Sequence, residues 1–303
     1  MTGASHHHRP ALAISLIVAG FTCFSTMDML VKQAGETLPI EQITFARYAV
    51  HFAALLTVAP LLGVKALFGG KRLGFLALRG GFLFLSTILF FTAITQLPLA
   101  EAAAITFLAP ILTVGLSVLF LKEVVGIRRW SAVAFGFTGI LVILRPGLQE
   151  LAPAHFMVLA TAFFFAVFTL MTRHAGTQTP VVATTFLTAL TGIVGSTFLL
   201  PGSGDLPGPA DWPLLAVIGL LALAAECLLI AGYRYAAASL LAPFQYVQML
   251  WATFFGWLVF STLPDLWTCI GAVMVIGAGL YIWLRESRIR PPLAAAAGAS
   301  GPK

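Results

Sequence analysis

The chain has 303 residues, of which 59% are hydrophobic and only 9% are charged. Because soluble domains carry about a quarter charged residues, this composition excludes a fold whose surface mostly faces water. The formal net charge of +6 would suit a nucleic-acid partner in a soluble protein, but here the basic residues lie in short loops between apolar runs. We therefore expect no nucleic-acid partner and interpret the charge as a signal for orientation in a lipid bilayer.

Ten apolar runs follow one another along the chain, each close to the roughly 20 residues that a helix needs to cross a bilayer core of about 30 Å. In chain order the predicted spans are 11–32, 39–62, 75–96, 99–121, 127–145, 153–173, 179–200, 212–234, 238–262 and 266–284. Only Gln96, Leu97 and Pro98 separate the third span from the fourth. The sequence thus predicts an all-α membrane protein with ten transmembrane helices, a tail at 1–10 and a flexible tail at 287–303.

The Lys and Arg residues fall on alternate sides of these spans. If the amino terminus is cytoplasmic, fourteen of the seventeen are cytoplasmic: Arg9, Lys65, Lys71, Arg72, Arg79, Lys122, Arg128, Arg129, Arg173, Arg234, Arg285, Arg288, Arg290 and Lys303. The opposite side keeps Lys32 and Arg145, and Arg47 lies within a span. Since cytoplasmic loops are enriched in basic residues, we expect both termini in the cytoplasm and a location in the bacterial-type inner membrane.

The loop after Arg145 divides the spans into two groups of five, at 11–147 and 153–286. Because five is odd, the second group must enter the membrane from the opposite side, so homologous halves would form an inverted repeat. The motif Leu-Ala-Pro occurs in both halves, at 108–110 and at 241–243. Two inverted five-helix repeats would place a solute site near the bilayer midplane, with alternating access to the two sides.

Several motifs are similar to those of one known family. They are Phe24-Ser25-Thr26-Met27-Asp28 with Lys32, Pro39 with Gln42 and Arg47, Leu97 to Ala104 with Pro110, Leu121-Lys122-Glu123, Arg145-Pro146-Gly147, Ala242 to Tyr246, and Pro264 to Trp267 with Arg285-Glu286. Over 11–286 the chain resembles the drug/metabolite transporter (DMT) superfamily, EamA type. Thr262 departs from the pattern, because the family usually has an acidic residue there, matching Glu123 in the first half.

This resemblance implies secondary transport of a small-molecule solute. Export of amino acids or related compounds is the best single prediction, and aromatic amino-acid exporters of the YddG type are one candidate subgroup. Uptake of a metabolite and efflux of cationic drugs stay open as alternatives, as do protons as a coupling ion and a monomer or homodimer as the assembly.

Ionisable residues within a span are costly and therefore need a partner or a function. Arg47 and His51 lie one turn apart on one face of the second span and could bind a substrate carboxylate. Alternatively, Arg47 pairs with Asp28 or Glu101 and fixes helix packing. Asp28 also has Lys32 one turn away, so local pairing could satisfy it.

Two acidic residues suggest different roles. Glu226 lies within the eighth span with no basic residue nearby in sequence except Arg234, two turns away, and is our candidate for proton coupling. Glu101 begins the fourth span, where an acidic side chain complements the helix dipole. We therefore predict a structural role for Glu101.

Prolines, aromatic side chains and amides suggest where a solute cavity lies. Pro110 removes a backbone donor within the fourth span, and polar atoms inside a membrane must find partners. The candidate substrate-binding residues are Arg47, His51, Pro110, Phe163, Phe168, Gln245, Tyr246, Gln248 and Trp251.

The chain lacks the motifs of other function classes. No phosphate loop of the form Gly-x-x-x-x-Gly-Lys-Ser/Thr is present, and no catalytic triad or zinc motif has the required spacing. We therefore predict no cofactor, no metal site and no catalytic residues. A channel and an intramembrane enzyme are the less favoured alternatives.

Overall fold

A computed structural model describes residues 10–62, 72–121, 127–145, 150–175, 181–202, 206–235 and 241–289. The first five predicted spans form six helices: α1 (Pro10–Ala34), α2 (Ile40–Leu62), α3 (Leu73–Ile94), α4 (Leu99–Thr106), α5 (Leu108–Leu121) and α6 (Ile127–Leu144). The second five form α7 (Pro153–Ala175), α8 (Val181–Leu199), α9 (Trp212–Tyr235), α10 (Val247–Phe260) and α11 (Leu266–Ile289). Two 3-10 helices cover Leu200–Gly202 and Ala242–Tyr246. The tail at 1–9, most of the tail at 287–303, and Glu123 lie outside the described residues.

Five of the described helices are long and apolar enough to cross a membrane by length and composition: α1, α3, α7, α8 and α9. Shorter apolar stretches cover Leu99–Thr113, Trp130–Leu144 and Leu266–Tyr281. The predicted separation of the third and fourth spans is confirmed, because α3 ends at Ile94 and α4 begins after Pro98.

The fourth span is interrupted at Phe107, between α4 and α5. Pro110 has no backbone N–H, so the carbonyl of Thr106 loses its partner four residues on and the helix is broken there. The ninth span is irregular in a similar way, because the 3-10 helix Ala242–Tyr246 precedes α10. Its second residue is Pro243. Both irregular segments coincide with a Leu-Ala-Pro motif, at 108–110 and at 241–243.

The helix contacts are symmetric when the two halves are exchanged. Helix α1 packs along α9, and the exchanged pair, α7 with α3, packs too. The pair α2 and α9 is matched by α8 and α3, and the pair α1 and α10 is matched by α7 with α4 and α5. Pairs that map onto themselves also form: α2 with α8, α4 with α10, and α6 with α11. The protein is therefore an all-α membrane protein whose ten transmembrane helices form two inverted repeats of five.

The largest buried core lies where the fourth span meets its neighbours from both halves. Four alanines of α4 are almost fully buried, namely Ala100, Ala102, Ala103 and Ala104. Small side chains let helix backbones approach closely inside a membrane, where packing rather than the hydrophobic effect holds helices together. The fourth span is consequently at the centre of the bundle.

The two halves approach each other closely at the crossing of α6 and α11. A Cβ atom added at Gly271 would lie 2.5 Å from the carbonyl oxygen of Gly139, and one added at Gly139 would lie 2.9 Å from that of Gly271. Only glycine on both helices permits this separation.

Candidate functional site

The middle of the bundle contains ionisable side chains that come from different helices. Arg47 and His51 lie on α2, one turn apart, and their exposed fractions are only 6% and 1%. Both side chains are therefore buried, one helical turn apart. With a rise of 1.5 Å per residue, Arg47 is about 10 Å and His51 about 16 Å from the start of α2, so both are well inside the helix.

The guanidinium of Arg47 contacts aromatic rings rather than an acid. Its Cζ atom lies 4.6 Å from the ring centroid of Tyr48 and 5.7 Å from that of Phe91. Within the described part of the chain, its buried Nε and Nη1 atoms have no hydrogen-bond partner. The Tyr48 ring is itself held in place, since its hydroxyl donates a hydrogen bond of 3.2 Å to Thr87. Arg47 is therefore held in place with two of its nitrogen atoms, Nε and Nη1, unused as donors.

Glu226 lies close to basic residues of other helices, which its sequence neighbours do not suggest. Its Oε2 atom is 3.7 Å from Nε2 of His51, and the charges of Arg79 and Arg47 act on its carboxyl group through space. The expectation of a carboxyl without a basic neighbour is thus corrected: α2 and α3 supply the neighbours across the helix interfaces.

Arg79 is a buried residue of α3, which corrects its expected place among the cytoplasmic basic residues. Its side chain is almost fully inaccessible to solvent. Its Nε atom donates to the Thr172 hydroxyl at 2.6 Å and its Nη1 atom to the Thr188 hydroxyl at 3.0 Å, and its Cζ atom lies 4.2 Å from the ring centroid of Phe168. The sequence signal was its position five residues into the predicted span 75–96.

Gly80 explains how Arg79 reaches α8. A Cβ atom added at Gly80 would lie 3.1 Å from the Cα atom of Thr188 and would overlap the Thr191 hydroxyl. Only the absence of a side chain there lets α3 and α8 approach so closely, and this approach brings Thr188 within reach of the guanidinium.

A second polar group lies between α1 and α10. Asp28 is buried, and its Oδ2 atom accepts a hydrogen bond of 3.3 Å from Nε2 of Gln248. One turn further along α10, the buried Nε1 atom of Trp251 has no hydrogen-bond partner among the described residues. The Trp251 ring is stacked on Phe255, with 5.5 Å between centroids.

Lys32 makes contacts other than the local pair with Asp28 that its spacing suggests. Its Nζ atom donates hydrogen bonds to the backbone carbonyls of Ile94, at 2.5 Å, and Leu97, at 2.8 Å. It also lies 5.3 Å from the ring centroid of Phe260. Lys32 thereby satisfies the carbonyl groups at the end of α3 and joins α1 to the connection between α3 and α4.

Glu101 lies in the first turn of α4, where the sequence places it. Its Oε1 atom is 3.2 Å from Nε2 of His155, at the start of α7. The partner of Glu101 is thus a histidine from the other half rather than Arg47. The signal in the sequence was that both residues begin spans entering from the same side of the membrane.

The predicted aromatic and amide residues divide into inner and outer positions. Phe168 contacts Arg79, but Phe163 is 43% exposed on the outside of α7. Tyr246 is half-buried beside Phe107, with 5.0 Å between ring centroids. Gln245 and Pro110 are also half-buried, in the irregular segments of the ninth and fourth spans. Phe163 therefore lies apart from the buried charged residues.

Two pockets lie on the outside of the bundle. One, of about 620 Å³, lies between α3 and α8 and is lined mainly by apolar residues such as Leu78, Phe84 and Phe198. The other, of about 460 Å³, lies between α6 and α11. Neither is lined by the buried charged residues, and an apolar surface suits contact with lipid. Among the described residues, no group of three or more His, Cys, Asp or Glu side chains could hold a metal ion.

Comparison with known proteins agrees with this architecture. The model of the EamA-like transporter family matches the chain twice, at 11–145 and at 152–284. A solved crystal structure superimposes with a TM-score of 0.65 over 92% of this chain and 99% of that one. It is 18% identical, so this likeness shows the fold alone.

Curated relatives are similar over nearly their whole length. They include a riboflavin transporter of Vibrio cholerae, 25% identical over 93% of this chain and 96% of that protein. A pseudopaline exporter of Pseudomonas aeruginosa is 28% identical over 86% and 92%. An S-adenosylmethionine uptake transporter of Rickettsia bellii is 24% identical over 92% and 95%. Since the family model covers both halves, the chain belongs to the EamA-like transporter family and is a multi-pass membrane transporter of small molecules.

Proposed function

We propose that the protein is a secondary carrier for a small metabolite that bears a carboxylate, most simply an amino acid or a related compound. The observation that carries this proposal is Arg47, a buried guanidinium whose Nε and Nη1 atoms have no hydrogen-bond acceptor among the described residues. Export is the direction that the sequence motifs favour, and aromatic amino acids are one candidate group of solutes.

Arg47 is suited to bind a carboxylate because its Nε and Nη1 atoms lack a hydrogen-bond acceptor among the described residues. A buried donor without an acceptor costs about 1–3 kcal/mol, and more when it is charged, so a solute that supplies the acceptor recovers this cost on binding. The planar guanidinium matches a carboxylate with two parallel hydrogen bonds. Tyr48 and Phe91 contact its faces, which keeps the side chain oriented before the solute arrives.

Alternating access follows from the two inverted halves. In our proposal, the halves rock against each other and open the site around Arg47 first to one side and then to the other. Glu226 is the proposed site of proton coupling, because it lies beside His51 and within the field of Arg47. A carboxylate bound at Arg47 would change the charge that Glu226 experiences, which is a direct physical link between the solute and the proton.

The proposed orientation has both termini in the cytoplasm, in a bacterial-type inner membrane. The distribution of basic residues supports this orientation, even though Arg79 is buried and is no longer one of the cytoplasmic basic residues. Reporter tags at the two ends should both report the cytoplasmic side, and opposite sides would refute the orientation.

The named solutes of the relatives, riboflavin, S-adenosylmethionine and pseudopaline, include both uptake and export. Metabolite uptake and drug efflux are therefore the nearest alternatives, and a channel and an intramembrane enzyme are more remote. We propose no enzymatic activity.

Counterflow in proteoliposomes tests the proposal. Vesicles preloaded with one member of an amino-acid panel should accumulate the labelled form of the same compound with saturable kinetics. Arg47→Gln should reduce this accumulation at least tenfold. The matched control is Arg145→Gln, because Arg145 lies at the end of α6 and pairs with Asp265, so its loss should leave counterflow nearly unchanged. Wild-type rates in Arg47→Gln would refute the carboxylate site, flux proportional to the gradient would indicate a channel, and product formation would indicate an enzyme.

A further inference from the structure

Asp28 and Arg47 carry opposite charges inside the bundle without meeting. Both side chains are more than nine-tenths buried, and the charge of Arg47 acts on the Asp28 carboxyl through space. The two residues, both within the described part of the chain, do not form an ion pair, because no carboxylate oxygen of Asp28 lies within 4.0 Å of a guanidinium nitrogen of Arg47. Burying two opposite charges near each other but apart is costly, because direct pairing is what usually offsets their loss of hydration.

Each of the two residues is fixed by other contacts. The Arg47 guanidinium lies against the rings of Tyr48 and Phe91. The Asp28 carboxylate accepts a hydrogen bond from Gln248. These contacts come from three helices, α2, α3 and α10, so the two charges cannot simply rotate toward each other.

Both residues also have unused hydrogen-bonding capacity. Arg47 has the free Nε and Nη1 donors. A carboxylate can accept about four hydrogen bonds, and Gln248 supplies one to Asp28. A ligand with an anionic acceptor and a cationic donor would satisfy both residues at once.

We propose that Asp28 and Arg47 together bind a zwitterion, with the solute's ammonium group at Asp28 and its carboxylate at Arg47. This inference rests on the proposed function and narrows the solute to α-amino acids, whose two charged groups are attached to one carbon. Asp28 is then a substrate-binding residue and not a member of a structural ion pair. Gln248 positions its carboxylate, and fixed partners reduce the ordering that binding requires.

Matched probes separate the two ends of the site. Each amino acid has an analogue without the ammonium group and one without the carboxylate; for phenylalanine these are 3-phenylpropanoate and 2-phenylethylamine, and for leucine they are 4-methylpentanoate and isoamylamine. Their competition against counterflow by purified wild-type protein gives the ratio of affinities. For the transported amino acid we expect each analogue to bind at least tenfold more weakly than the zwitterion.

Asp28→Asn should remove the preference for compounds with an ammonium group and keep the preference for compounds with a carboxylate. It keeps an acceptor for Gln248, so the helices can stay in contact while the charge is lost. We expect affinity for the amino acid to fall at least tenfold and affinity for the deaminated acid to stay within about threefold. Arg47→Gln should weaken both compounds. Asp265→Asn is the matched control, because this carboxylate lies at the end of the bundle, and it should change neither.

The outcomes distinguish the two proposals. If Arg47→Gln weakens both compounds but Asp28→Asn leaves the ratio unchanged, the carboxylate site stands and the zwitterion inference is overturned. If no compound bearing a carboxylate competes with wild-type counterflow, both are overturned. If Asp28→Asn does not yield folded protein by gel filtration, the wild-type ratio still decides: equal affinity for an amino acid and its deaminated analogue overturns the inference.

Discussion

The crossing of α6 and α11 makes a sharp prediction about stability. Substituting Gly271→Ala adds a Cβ atom 2.5 Å from the carbonyl oxygen of Gly139, and this atom also overlaps the side chain of Ile143. A carbon and an oxygen in ordinary contact are more than 3 Å apart, and the obstacle is backbone, which a rotamer change cannot move. The two helices must therefore separate by several tenths of an ångström.

This separation weakens the packing along the whole interface between α6 and α11, because dispersion contacts weaken steeply with distance. Overpacking of this kind costs about 1–3 kcal/mol. For a chain of this length that corresponds to a fall in Tm of roughly 2–5 °C, measured by thermal unfolding of the purified protein in detergent.

The same helix provides a control. A Cβ atom added at Gly277 has no neighbour within 4 Å among the described residues, so Gly277→Ala changes helix propensity alone and should be neutral or stabilise by up to about 1 kcal/mol. If Gly271→Ala unfolds at the same temperature as Gly277→Ala or above it, the two helices are not in the contact described and the reasoning fails.

Two further predictions concern charge. Burial alone would raise the pKa of Asp265. Hydrogen bonds from Thr268 and the charge of Arg145, 2.6 Å away, outweigh this effect, so the pKa is lowered overall. The ion pair should therefore stabilise the fold above the unfolded value of about pH 4 and lose this effect as the pH falls through the folded pKa. Hence the Tm difference between wild type and Asp265→Asn should shrink below about pH 4, and a difference that is constant with pH would contradict the pair. Glu226→Gln should abolish flux driven by an imposed pH gradient while counterflow without a gradient persists; pH-driven flux at the wild-type rate would remove Glu226 from coupling.

The architecture could be predicted from the sequence because bilayer thickness and charge alternation act locally. Apolar runs of about 20 residues and the short breaker Gln96-Leu97-Pro98 determine the helices one by one. Two halves with five spans each require an inverted repeat whatever the side chains do. The break at Phe107 could also be predicted, since Pro110 lies four residues after Thr106 and has no N–H for the Thr106 carbonyl to accept.

The partners of the buried charges could not be predicted in the same way. Which residues of two membrane helices face each other depends on close packing, and this is not a property of either helix alone. Glu226 therefore lacked a visible neighbour until α2 brought His51 to 3.7 Å. Arg79 was assigned to the cytoplasm because arginine near a span's start usually reaches water, whereas Gly80 lets α8 approach and cover it.

The charges of the site break the symmetry of the scaffold, and this asymmetry bears on the mechanism. Exchanging the halves maps α2 onto α8. Where α2 has the buried ionisable residues Arg47 and His51, the described buried polar residues of α8 include uncharged threonines such as Thr185 and Thr188. A symmetric backbone lets the two end states have similar energies, because each half can adopt the other's conformation. In our proposal, however, the solute binds groups contributed mainly by α1, α2 and α10, so its binding would favour the two states unequally. Transport against a gradient also requires coupling to a second gradient, and we propose Glu226, on α9, for this role because the charges of both Arg79 and Arg47 act on its carboxyl group.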